Sequence, residues 1–83
     1  YIESYSDYIK IHLNDKSTII TRETISAVEA KLPTDDFIRI HRSYIIAVNH
    51  IDSFTNEQII VSGKSLPISR SYKKEVLGLL EQF

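Results

Sequence analysis

Apolar and polar residues alternate over residues 8–13, with Ile9, Ile11 and Leu13 on one side and Tyr8, Lys10 and His12 on the other. A period of two over this length predicts a half-buried strand. Asn14-Asp15-Lys16 has turn composition, and Ser17–Ile20 reads as the returning strand of a hairpin. Tyr1–Ser4 reads as the end of an earlier strand. From Thr21 the period lengthens, and Ile25, Val28 and Leu32 fall on one helical face. Thr21 is a candidate N-cap with Glu23 in the first turn, and Pro33 closes the element. This predicts a short helix over about 21–32.

Phe37–His41 alternates again, setting Ile38 and Ile40 against Arg39 and His41. Tyr44–Val48 is apolar without a clear period, which fits a strand or a single helical turn. Ile51–Thr55 and Ile59–Ser62 read as strands around Asn56-Glu57. A turn at Ser62-Gly63-Lys64 leads to a strand at Ser65–Ile68, which Pro67 restricts to a sheet edge. From Ser71 the pattern is helical, with Val76, Leu79, Leu80 and Phe83 in one stripe, predicting a helix over about 71–82. Gly78 weakens it by about 1 kcal/mol relative to alanine. The expectation is one domain, residues 1–83, mainly β, with packed antiparallel sheets and two short helices. Its opening lacks an initiator methionine, which points to a fragment of a longer protein.

Composition narrows the function classes. The chain has 83 residues, 42% hydrophobic and 25% charged, near the lower size limit for a core that folds unaided. There is no cysteine, which removes disulfides and thiolate metal sites and suits a reducing compartment. With neither a membrane-length apolar run nor a basic leader, a cytoplasmic location without membrane contact is expected. The net charge of −1 hides an uneven distribution. Residues 37–51 contain Arg39 and Arg42 and no acid; residues 58–74 contain Lys64, Arg70, Lys73 and Lys74 and no acid. A polyanion needs a positive face, and a positive total is not required.

Two constellations carry candidate chemistry. In Phe37-Ile-Arg-Ile-His-Arg-Ser-Tyr44, Arg42 lies between His41 and Ser43 where a strand ends. A guanidinium fork can engage guanine O6 and N7 together, while hydroxyls can hold phosphates. In Leu66-Pro-Ile-Ser-Arg-Ser-Tyr-Lys-Lys74, Arg70 stands where an edge strand gives way to a helix. A phosphate can dock there beside Ser69 or Ser71, with Lys73 and Lys74 adding sequence-independent contacts. Both segments also read blandly, as a solvated strand end and a capped helix. Ser4-Tyr-Ser-Asp-Tyr8 has the composition of a contact loop and equally of an ordinary strand connection. His12, His41 and His50 lack the spacing of a helical zinc motif, and no glycine-rich phosphate loop or nucleophile elbow is present. No enzyme, metal or cofactor is expected.

The run Phe37–Ile51, followed in order by Leu66–Lys74, closely resembles the signature of LytTR-type DNA-binding domains, and the resemblance extends to the opening Tyr1-Ile-Glu-Ser and to Leu32-Pro33. It implies a small, mainly β domain that sets loops against duplex DNA. It also implies an output domain of a two-component response regulator, following a receiver or sensor domain and self-associating on direct repeats in promoters. Carried over by motif position, Arg42 and Arg70 are base readers, and Ser6-Asp7-Tyr8 matches a third contact, with Asp7 and Tyr8 near the bases. Arg39, Ser43, Ser71 and Lys73 fall where backbone contacts are made. Two departures stand out: Ala47 replaces the usual asparagine, and the one or two strands that usually open the domain are missing before Tyr1. The rival reading is a non-catalytic β module for protein–protein interaction or dimerisation.

Overall fold

The computed structural model describes residues 1–82. Eight strands, two α-helices and one 3-10 turn follow in the order β1 (Ile2–Tyr5), β2 (Tyr8–His12), β3 (Thr18–Thr21), α1 (Ile25–Lys31), β4 (Phe37–His41), β5 (Tyr44–Ala47), the 3-10 turn (Val48–His50), β6 (Ile51–Phe54), β7 (Gln58–Val61), β8 (Lys64–Pro67) and α2 (Arg70–Leu80). The strands form a five-stranded sheet, β3-β2-β1-β5-β4, and a three-stranded sheet, β6-β7-β8, with every pairing antiparallel.

Strand alternation builds the layers. Ile45 and Ile46 are adjacent in β5 and therefore point to opposite faces. Ile45 joins Ile2, Ile9, Ile25 and Val28, which packs α1 on one face of the large sheet. Ile46 joins Ile38, Ile40, Ile59, Val61, Leu66, Ile68, Val76 and Leu80, which packs the small sheet and α2 on the other. No polar or charged residue is buried among the described residues.

Several local outcomes differ from expectation. Thr21 stays in β3 opposite Ile9, and Thr24 is the cap of α1, its hydroxyl accepting from the Ala27 N–H at 3.1 Å. The helix thus starts at Ile25, because sheet pairing holds the chain through Thr21 and Thr24 supplies the cap. The ambiguous 44–48 segment divides: Tyr44–Ala47 is a strand and Val48 begins the 3-10 turn. In α2 the buried residues are Val76 and Leu80, with Tyr72 packed against the same core, whereas Leu79 is exposed. Phe83, placed on that stripe from the sequence, lies outside the described residues. β1 is the central strand of its sheet, and the edges are β3 and β4.

The turns are chemically specific. Ser62 and Gly63 have φ of 51° and 80°, the double left-handed geometry of a tight two-residue hairpin, and Pro67 sits on edge strand β8. Ser6 has φ of 56° in the two-residue link between β1 and β2, a position that usually favours glycine.

Candidate nucleic-acid interface

Three loops meet at one end of the molecule, and backbone hydrogen bonds hold them there. β1 rises to the Ser6-Asp7 turn, and β5 descends beside it from the Arg42-Ser43 turn; Ser4 N–H donates to the Ser43 carbonyl at 2.8 Å. On the other side of Arg42, the β4–β5 register shifts between Arg39 and His41. A bulge at that point turns the local backbone out of the ladder. The Ile40 carbonyl accepts from the Ser69 N–H at 3.0 Å, which pins the start of α2 to the same end. Asp7, Arg42 and Arg70 are thus carried on three turns of one surface.

Arg42 and Arg70 are exposed and take part in no ion pair among the described residues. Asp7 and Tyr8 are also exposed, at the tip and the start of the β1–β2 hairpin. Ser71 and Lys74 lie exposed on the first turns of α2. Lys73 reaches Glu57 in the β6–β7 turn at 2.8 Å, and that bond together with the ammonium charge holds the Glu57 carboxyl below its usual range. This pair is open to solvent, so it exchanges partners at little cost.

Arg39 is held by several neighbouring elements. Its side chain is only 9% exposed. Nε donates to the His41 carbonyl at 2.9 Å, Nη2 to the Arg42 carbonyl at 2.7 Å, and Nη1 to Glu29 Oε1 at 2.7 Å and Ser26 Oγ at 3.4 Å. The guanidinium also stands over the Tyr72 ring, 5.6 Å from its centroid. One side chain therefore ties α1, the Arg42 turn and α2 together, and it directs its donors inward. The available signal was its position between buried Ile38 and Ile40, with acceptors on a neighbouring helix that only the fold reveals.

Ser69 stands at the N-cap position of α2, yet its hydroxyl makes no capping bond, is enclosed and has no partner among the described residues. The Ser69 N–H bond to the Ile40 carbonyl closes the α2 start over this enclosed hydroxyl. No acceptor among the described residues is bonded to the Arg70 and Ser71 main-chain N–H groups, as at the first turn of any helix.

His41 orders the Arg42 turn from within. Its Nδ1 accepts from the Ser43 N–H at 3.0 Å, so that nitrogen carries no proton. Burial, then the charges of Arg42 and Arg39, push the His41 pKa down, in keeping with that bond. Ser43 is partly exposed, with its N–H on His41 and its carbonyl on Ser4. Tyr44 packs tilted against His41, with ring centroids 5.3 Å apart.

Comparison with known proteins identifies the family and the fold. The model of the LytTr DNA-binding domain matches residues 1–81. The chain belongs to the LytTR family of DNA-binding domains. A LytTr DNA-binding domain from a Bacillus cereus response regulator has the same fold, with a TM-score of 0.83 and 29% identity, covering 95% of this chain and 77% of that one. The sensory transduction protein LytT of Bacillus anthracis is 38% identical over 71 residues, which are 78% of this chain and 29% of that protein. LytT of Bacillus subtilis is 31% identical over 86 residues, 96% of this chain and 35% of that protein. The LytTR chain described here therefore spans about a third of the length of these curated relatives. Among the described residues no helix is long and apolar enough to cross a membrane, and no cluster of metal-ligating side chains occurs.

Proposed function

We propose that this LytTR domain binds duplex DNA sequence-specifically through its three-loop end, as the output module of a cytoplasmic two-component response regulator. The observation that carries the reading is the placement of two exposed, unpaired arginines, Arg42 and Arg70, on turns locked together by the Ser4–Ser43 and Ile40–Ser69 hydrogen bonds. Rigid turns present guanidinium forks to base edges with little ordering cost. Asp7 and Tyr8 supply a third base contact, since a carboxylate accepts from cytosine N4. Ser43, Ser71, Lys73 and Lys74 contact the backbone, joined by the open N–H groups at the start of α2. Arg39 and Ser69 serve as positioning residues behind them.

The role is binding and regulation, without catalysis and without a cofactor. Residues 1–83 act as one module of a longer regulator, joined to a receiver or sensor domain, and two copies occupy direct repeats in a promoter. Similarity to the LytT proteins supports this setting. The test is fluorescence anisotropy of this chain on a promoter fragment and on mixed-sequence duplex over a range of salt. Affinity should fall linearly with salt on logarithmic axes, with the promoter preferred. Absence of salt-dependent binding to either duplex refutes the proposal and favours a protein-interaction module.

A further inference from the structure

We propose that Arg22 is an additional phosphate contact, extending the DNA-binding face across the large sheet to its β3 edge. The inference rests on the three-loop reading above and deepens it. β3 ends with Thr21 opposite Ile9, and the next residue, Arg22, emerges beside the Tyr5–Tyr8 hairpin end. Arg22 lines an open groove with Ser4, Ser6 and Asp7, so it stands against the loop expected to enter the DNA. It is exposed and takes part in no ion pair among the described residues. Glu23, which lines the same groove, is paired with Lys31 at 2.6 Å, so its charge is already engaged, and Arg22 stands in the groove with Asp7.

The location suits the chemistry. Asp7 is a carboxylate at the tip of a loop that approaches a polyanion, and a neighbouring cation offsets its repulsion from the phosphates. Arg22 is the cation the fold places in that groove. Strand order then sets the reach. From β3 to β5 there are three strand spacings, about 14 Å at about 4.8 Å each. That corresponds to roughly four base pairs along a duplex at about 3.4 Å per step. Arg22 thus grips backbone flanking the bases read by Arg42.

The experiment measures binding of the chain and its Arg22→Ala, Arg22→Lys and Arg70→Ala variants to a selected-site duplex and to mixed-sequence duplex, each of about two helical turns, over a range of salt. Arg22→Ala should weaken binding about three- to tenfold and reduce the salt slope by about 0.9, the value of one phosphate contact. Arg22→Lys should restore most of both. The exposed, unpaired position predicts unchanged thermal unfolding for all Arg22 variants, which separates lost contact from lost fold. Parent-like affinity and slope in Arg22→Ala, with Arg70→Ala still losing preference for a selected site, overturns the Arg22 assignment alone. Absence of DNA binding by the parent chain overturns both it and the three-loop reading.

Discussion

The Arg39 guanidinium donates to the main-chain carbonyl of Arg42 across 2.7 Å, so one arginine of the motif holds the turn that presents the other. Four further contacts, to the His41 carbonyl, Ser26, Glu29 and the Tyr72 ring, make Arg39 a tie between two helices and the contact surface. A planar, multiply bonded guanidinium cannot be replaced by a point charge.

Arg39→Lys should therefore lose about 1–3 kcal/mol of stability although the charge is retained. Chemical denaturation measures it. DNA affinity should fall with an unchanged salt slope, because no phosphate contact is removed. Full stability with a reduced salt slope would instead place Arg39 on the DNA backbone.

Ser69 provides a test of opposite sign. A serine that caps a helix through its hydroxyl loses about 0.5–2 kcal/mol on truncation to alanine. Here the hydroxyl is enclosed and unpartnered, and the docking bond to Ile40 comes from the main-chain N–H. Ser69→Ala should be neutral or stabilising by about 1 kcal/mol and leave DNA binding unchanged. A loss of stability measured by thermal unfolding counts against the enclosed hydroxyl.

His41 links stability to pH. Its pKa is lower folded than unfolded, so between those values the unfolded chain binds more protons and stability rises with pH. The contribution is complete above the ordinary histidine value of about 6.5 and is lost as pH falls through the lowered one. His41→Asn keeps an acceptor for the Ser43 N–H without a titrating group. Its unfolding temperature should vary less than the parent's between neutral and mildly acidic pH. Parallel curves would remove His41 as the cause.

Ser6 holds φ of 56° at the tip of the β1–β2 hairpin. Ser6→Gly should fold with no loss of stability, whereas Ser6→Val should cost about 1–3 kcal/mol, because a β-branched residue resists that backbone region. Denaturation midpoints decide it; equal midpoints for the two variants would mean that the tip relaxes to an ordinary conformation.

Local chemistry explains which features were legible beforehand. Alternation at 8–13 and 37–41 exposed β2 and β4, and Ser62-Gly63 announced the β7–β8 turn, because these depend on neighbours in sequence. The start of α1 was misplaced because Thr21 satisfies its backbone in the sheet, opposite Ile9, a contact made across the chain. Arg42 and Arg70 stood out through acid-free surroundings. The inward roles of Arg39 and Ser69 were hidden because their partners, Glu29, Ser26, Tyr72 and Ile40, converge only when the layers pack. Arg22 gave no signal beyond its charge until strand order set it beside Asp7.

Binding of the parent, Arg42→Ala and Arg70→Ala to a promoter site and to mixed-sequence duplex, compared at matched salt, bears most directly on the reading face. Each substitution should cost about 1–3 kcal/mol on the promoter and relax preference at one base position, while changing mixed-sequence affinity far less. Equal losses on both duplexes would contradict base reading by these two arginines and reduce them to backbone contacts.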